Sequence, residues 1–155
     1  TAIMASVSIA IFETTLEKLV SLAILMPIVA SMGGNAGTQT LTVAVRAMAT
    51  RKLTSSNSFR VFGKEILVGI YNGLFFAFLI GIITGFWFED YLLGLIIAFA
   101  MLFNLILAGT FGAAIPIILS YFKVDPAVAA TVLLTTITDI LGFVIFLGLA
   151  KYLLM

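Results

Sequence analysis

One acidic residue lies where acids are rare. Asp139 has about twelve mainly apolar residues on each side. A helix needs about 20 such residues to cross a hydrocarbon core, so Asp139 belongs near the middle of a span. A carboxylate at that depth costs at least ~2.5–3.5 kcal/mol on insertion scales, and such groups face a cavity or a partner and mark ion pathways. Thr131 and Thr135 precede it in steps of four, and Gly142 follows one turn later. That spacing makes a polar stripe on one helix face. Thr136, beside Thr135, joins Asp139 and Thr135 as a candidate ligand. The plainer alternative is a protonated Asp139 hydrogen-bonded to Thr135 or to a neighbouring helix. No other segment offers a Lys or Arg at the same depth, which favours a mobile cation as the partner.

A second polar face lies earlier in the chain. Asn35, Gln39, Thr42 and Arg46 follow one another in steps of three and four, with Thr38 adjacent. The run Gly33-Gly34-Asn35-Ala36-Gly37 precedes most of them, and Pro27 lies before it. Proline removes a helical hydrogen bond and glycine tolerates unusual backbone angles, so a kink or an unwound turn is expected there. Gly34, Asn35, Gly37, Thr38 and Gln39 would then offer amide, hydroxyl and freed carbonyl oxygens. Hard cations such as Mg²⁺ and Ca²⁺ prefer oxygen donors. A simple helix–helix polar contact is the alternative for this face. Asn104 reads first as interhelical glue.

One membrane carboxylate is little charge for a divalent ion. Two chains meeting with Asp139 on a shared axis would balance one Mg²⁺. Mg²⁺ dehydrates reluctantly, so such a pore would contact its waters and select it without stripping them. Conduction also requires binding weak enough for release.

The elements that position these residues follow from composition. Of 155 residues, 63% are hydrophobic and 10% charged, against about 45–50% and 25% in soluble domains. A chain this small could not bury so much apolar surface in water; a bilayer accepts it. There is no Cys and no His. Disulfides, thiolate metal sites and most zinc or haem chemistry are therefore excluded. No nucleic-acid partner is expected.

Charges divide the chain. Glu13, Glu17 and Lys18 close a first apolar stretch, residues 1–12, which is too short to span and reads as the tail of a helix. The next segments are Leu19 to about Thr50, Ile66–Phe88, Tyr91–Phe122 and Ala127–Ala150. Backbone groups in lipid must be satisfied internally, so these are helices. The expected fold is an all-α membrane bundle of five transmembrane helices, the first partial, forming one pore domain over residues 1–155. Leu19–Thr50 would measure ~48 Å as a straight helix, longer than a core of ~30 Å. Gly69, Gly73, Ala77, Gly81 and Gly85 form a ladder of small residues four apart, which is a packing face. Arg46, Arg51, Lys52, Arg60, Lys64 and Lys123 gather on one side, the cytoplasmic one by the positive-inside rule.

These residues together resemble a known family. Pro27, then Gly33-Gly34-Asn35-Ala36-Gly37-Thr38-Gln39, then Arg46-Ala47-Met48-Ala49-Thr50, is similar to the core of MgtE-type magnesium channels. So are Lys64-Glu65, and Val124-Asp125-Pro126-Ala127 with Thr138-Asp139 and Gly142. The resemblance covers nearly the whole chain. It implies a homodimer in a prokaryotic plasma membrane with five transmembrane helices per subunit. The second and fifth of these line a pore on the dimer axis, Asp139 is the pore aspartate, and Mg²⁺ is the transported ion and pore ligand. It also implies gating by cytoplasmic N-terminal and CBS-pair domains, which these 155 residues do not include.

Two functional readings remain open at this stage. One is a pore conducting hydrated Mg²⁺. The other is a proton-coupled carrier of Mg²⁺, Mn²⁺ or Co²⁺, since a lone membrane Asp can relay protons. An intramembrane enzyme is disfavoured: there is no His or Cys, no HExxH and no second membrane Asp. A purely structural subunit would leave the stripe on the last segment unexplained.

Overall fold

A computed structural model describes residues 1–52 and 57–155, without the side chains of 127 and 128. Residues 53–56 of the expected basic connection lie outside the described residues. Six helices follow in order: α1 (Ala2–Ala10), α2 (Glu13–Lys18), α3 (Val20–Ala49), α4 (Ser58–Trp87), α5 (Tyr91–Tyr121) and α6 (Pro126–Leu154). Four of them, α3 to α6, are long and apolar enough to cross a membrane. These are the four complete segments that the charges delimit. The expected partial helix is α1, which packs against α6.

The ends of the long helices show why charges mark them. α4 begins at Ser58 rather than Ile66, so Arg60, Lys64 and Glu65 ride on its first two turns. Asp90 caps α5: its Oδ1 accepts from the Leu92 and Leu93 amides at 2.9 and 3.0 Å. α3 and α5 end in the same way. Arg51 and Lys123 take left-handed backbone angles, φ 54° and 59°. The next amide then reaches back in each case, Lys52 to the Ala47 carbonyl and Val124 to the Leu119 carbonyl, both at 2.9 Å. These are Schellman endings, which satisfy carbonyls a membrane helix would otherwise orphan.

α5 is the central helix, packed against α3, α4 and α6, while α3 and α6 also pack on each other. The small-residue ladder of α4 meets α5 of the same chain. A methyl added at Gly69 would lie 2.9 Å from the Leu105 carbonyl oxygen, and one at Gly73 would lie 2.9 Å from Leu102. The two backbones therefore approach as closely as small residues allow. The opposite side of α4 is apolar and exposed, with Tyr71, Phe75, Phe78, Phe86 and Trp87 each more than 60% accessible. In a bilayer that surface faces lipid.

The core has two apolar clusters with a waist between them. One joins Leu22, Leu25 and Val29 of α3 to Ile96, Ile97 and Met101 of α5 and to Phe146 and Leu147 of α6. The other joins Leu41, Ile115, Ala130 and Leu134 toward the basic side. The waist holds Gly33, Gly37, Asn104, Gly112, Thr138 and Gly142, all buried.

The expected unwound turn is not there. α3 runs unbroken from Val20 through Pro27 and the whole glycine run, and no glycine in the described residues has a positive φ. The glycines serve close approach instead. A side chain at Gly33 would collide with the Asn104 amide, and one at Gly37 would lie 3.0 Å from Leu134.

Candidate functional site

Asp139 lies near the middle of α6 and is half-buried. Among the described residues, no hydrogen bond or ion pair reaches its carboxylate. The Thr135 hydroxyl donates to the Thr131 carbonyl at 3.0 Å, so it has no proton to give Asp139. Thr136 donates to the Val132 carbonyl at 2.7 Å, and Thr138 to the Leu134 carbonyl at 3.1 Å.

The same pattern repeats on α3. Thr38 donates to the Gly34 carbonyl and Thr42 to the Thr38 carbonyl, both at 2.8 Å. Asn35 Nδ2 reaches Ser31 Oγ at 3.4 Å. A threonine hydroxyl has one proton and two lone pairs. With the proton bound to its own helix, each presents lone pairs only. This lining accepts hydrogen bonds and donates few.

α3 and α6 bring these residues together along an antiparallel seam. A methyl on Gly34 would come within 3.9 Å of Thr135. One level toward the basic side, Thr38, Thr42, Arg46 and Ala49 line an open groove of about 310 Å³ with Thr131 and Pro126. The same register puts Asp139 at the level of Ser31. Asn35, Gln39, Thr42 and Arg46 are exposed in the single chain, and Thr38, Thr135 and Thr136 are partly so.

Gly37 does not join them. It is buried on the other side of α3 against Leu134, and its carbonyl faces Gly112 of α5. A helix turns 100° per residue, so Gly37 cannot share a face with Asn35 and Gln39. Nor are backbone carbonyls freed at this level, since the helix is continuous and the Gly34 carbonyl takes the Thr38 hydroxyl as well. Ser31 carries no expectation from the sequence, yet its place one turn before Asn35 was the available signal. Among the described residues no three acidic side chains converge as a metal cage would require. Asp139 supplies the site's negative charge in one chain, and Arg46 lies in the groove toward the basic side.

Asn104 is fully buried at the waist. Its Nδ2 donates to the Val29 carbonyl of α3 at 2.8 Å, as interhelical glue should. Its Oδ1 has no partner among the described residues. An unpaired buried polar atom costs about 1–3 kcal/mol.

Known proteins are similar to this chain in sequence. The family described as MgtE, divalent cation transporter, matches residues 26–149. A magnesium transporter MgtE of Bacillus subtilis is 38% identical over 142 residues, covering 92% of this chain and 32% of that protein. The Thermus thermophilus protein of the same name is 36% identical over 143 residues, covering 92% and 32%. That of Enterococcus faecalis is 33% identical over 140 residues, covering 90% and 31%. The chain thus spans about a third of the length of these relatives.

Proposed function

Since this chain belongs to the MgtE family of divalent cation transporters, we propose that it is the membrane pore through which hydrated Mg²⁺ passes, with Asp139 as its central charge. It is a multi-pass protein of the cell membrane, and the proposal concerns what the seam between α3 and α6 does there. The observation that carries it is an unpartnered, half-buried carboxylate at mid-span, flanked by hydroxyls whose protons are already bound to their own helices.

A hydrated Mg²⁺ presents the hydrogens of its waters outward. It keeps several of those waters because it dehydrates reluctantly. Acceptor oxygens suit it: the Asp139 carboxylate, the Thr135, Thr136 and Thr38 oxygens, and the Asn35 and Gln39 amide oxygens, whose NH2 groups must then turn away from the ion. Gly34 contributes by its size, letting α3 approach Thr135. Gly37 contributes packing and touches no ion.

The charge balance calls for two chains. One Asp139 leaves a divalent ion half-neutralised, and the polar faces of α3 and α6 are exposed in the single chain. A second copy across an axis covers these faces and supplies the second carboxylate. Because the chain has no Cys, Thr131→Cys introduces a unique thiol beside that axis. Oxidation should give a disulfide-linked dimer; a chain that stays monomeric at each position tried along the groove refutes the shared axis.

The functional test is Mg²⁺ flux into liposomes, wild type against Asp139→Ala. Loss of flux supports the reading; unchanged flux removes Asp139 from it. The same unpartnered carboxylate fits a proton relay. Mg²⁺ flux driven by a pH gradient at zero voltage would favour coupled transport over a passive pore.

A further inference from the structure

Asn104 stands between the two apolar clusters, where α5 meets both α3 and α6. We infer that Asn104 is a positioning residue, a wedge on α5 that sets the spacing and register of the Thr135–Asp139 stretch of α6 against the Ser31–Asn35 stretch of α3. The inference rests on the reading of that seam as the ion path and names what holds it in shape.

Three observations converge on the wedge. The Asn104 amide fills the space where side chains on two glycines would stand, Gly33 of α3 and Gly142 of α6; a methyl on Gly142 would lie 2.9 Å from Nδ2 and 3.2 Å from Oδ1. Its Nδ2 fixes it to the Val29 carbonyl, 75 residues away in sequence. Its Oδ1 is buried without a partner, so this amide is not the most stabilising filling for the space.

Each contact sits beside an ion-facing residue. Gly33 immediately precedes Gly34, which faces Thr135, and Asn35 follows. Gly142 is three residues, just under one turn, beyond Asp139. Apolar clusters lie on both sides of the waist and lock the helices there. Between them, the thickness of one amide decides how far Asp139 stands from α3. A closely packed interior transmits such a change rather than absorbing it. Asn104 touches no ion; it acts through Asp139.

The test compares Asn104→Ala, Asn104→Ser, Gly142→Ala and the double variant Gly142→Ala with Asn104→Ala, in the full chain reconstituted in liposomes with Mg²⁺ as the probe. Half-saturating Mg²⁺ and maximal flux per folded protein are read separately. The single variants should shift half-saturation by about fivefold or more, and the double variant should lie closer to wild type than the two singles combined, as contacting residues do. The methyl at 142 then occupies room the amide has left. Asn104→Ser keeps a hydroxyl that can bond its own helix, and serves if Ala does not fold. If yield or maximal flux falls while half-saturation stays put, Asn104 is glue alone and the inference fails. Independent effects of the two substitutions also overturn it. Loss of the Mg²⁺ reading has a different signature: no Asp139-dependent flux in the wild type.

Discussion

Replacing Asp139 with Asn removes one charge per chain and keeps the side chain's size. A bound Mg²⁺ holds its waters at about 2.1 Å, and a water donating to a carboxylate lies about 2.6 Å from it. The O–H bond is angled to the Mg–O bond, so the carboxylate is about 4.2 Å from the ion, and the pair is attracted by about 2 kcal/mol in full water screening or about 8 at an effective dielectric of 20. Asp139 is half-buried, in an open seam rather than a sealed core, which argues for the lower end. About 2 kcal/mol per carboxylate is roughly a 30-fold loss of affinity, and two copies on an axis double the energy. The assay is calorimetric Mg²⁺ binding, with half-saturation of liposome flux beside it. Affinity within about threefold of wild type, less than 1 kcal/mol, would refute the charge argument, because that argument assigns the neutralising charge to Asp139.

Other changes separate the ion path from its scaffold. Thr135→Val keeps the branched shape and removes one acceptor; flux should fall about fivefold, the worth of about one hydrogen bond, with unfolding unchanged because the hydroxyl served only its own helix. Gly69→Leu forces α4 off α5, where a first carbon already lies 2.9 Å from the Leu105 carbonyl oxygen. It should destabilise by about 1–3 kcal/mol in detergent unfolding and leave half-saturation of the folded fraction alone. Asp90→Ala removes both capping bonds of α5 and should cost about 1 kcal/mol, read as a lower melting temperature with normal ion affinity.

Much of this was legible in the residues because lipid constrains helices so strongly. Charges lie deep only at a cost, so the clusters Glu89–Asp90 and Lys123–Asp125 read as boundaries, and they are. The ladder on α4 announced a close-packed face, but its partner is chosen by topology, and α5 proves to be in the same chain. Gly33–Gly37 shows where reading by type runs out. Glycine permits both an unwound turn and close approach, and the residue that decides is Asn104, some 70 positions later. Phase mattered as well: Gly37 lies two residues from Asn35, and a continuous helix turns it to the opposite side. Asp139 stood out by depth alone, while the committed hydroxyl protons around it required coordinates.

The shared axis and the central charge can be examined together by locating an ion. Mn²⁺ takes the same oxygen ligands as Mg²⁺ and scatters anomalously. In a structure of the protein grown with Mn²⁺, the account predicts one peak on a two-fold axis between two copies of Asp139, about 4–4.5 Å from the nearest carboxylate oxygen of each, as a retained water shell requires. A peak elsewhere with none at Asp139, or two chains whose Asp139 residues face away from each other, would contradict it.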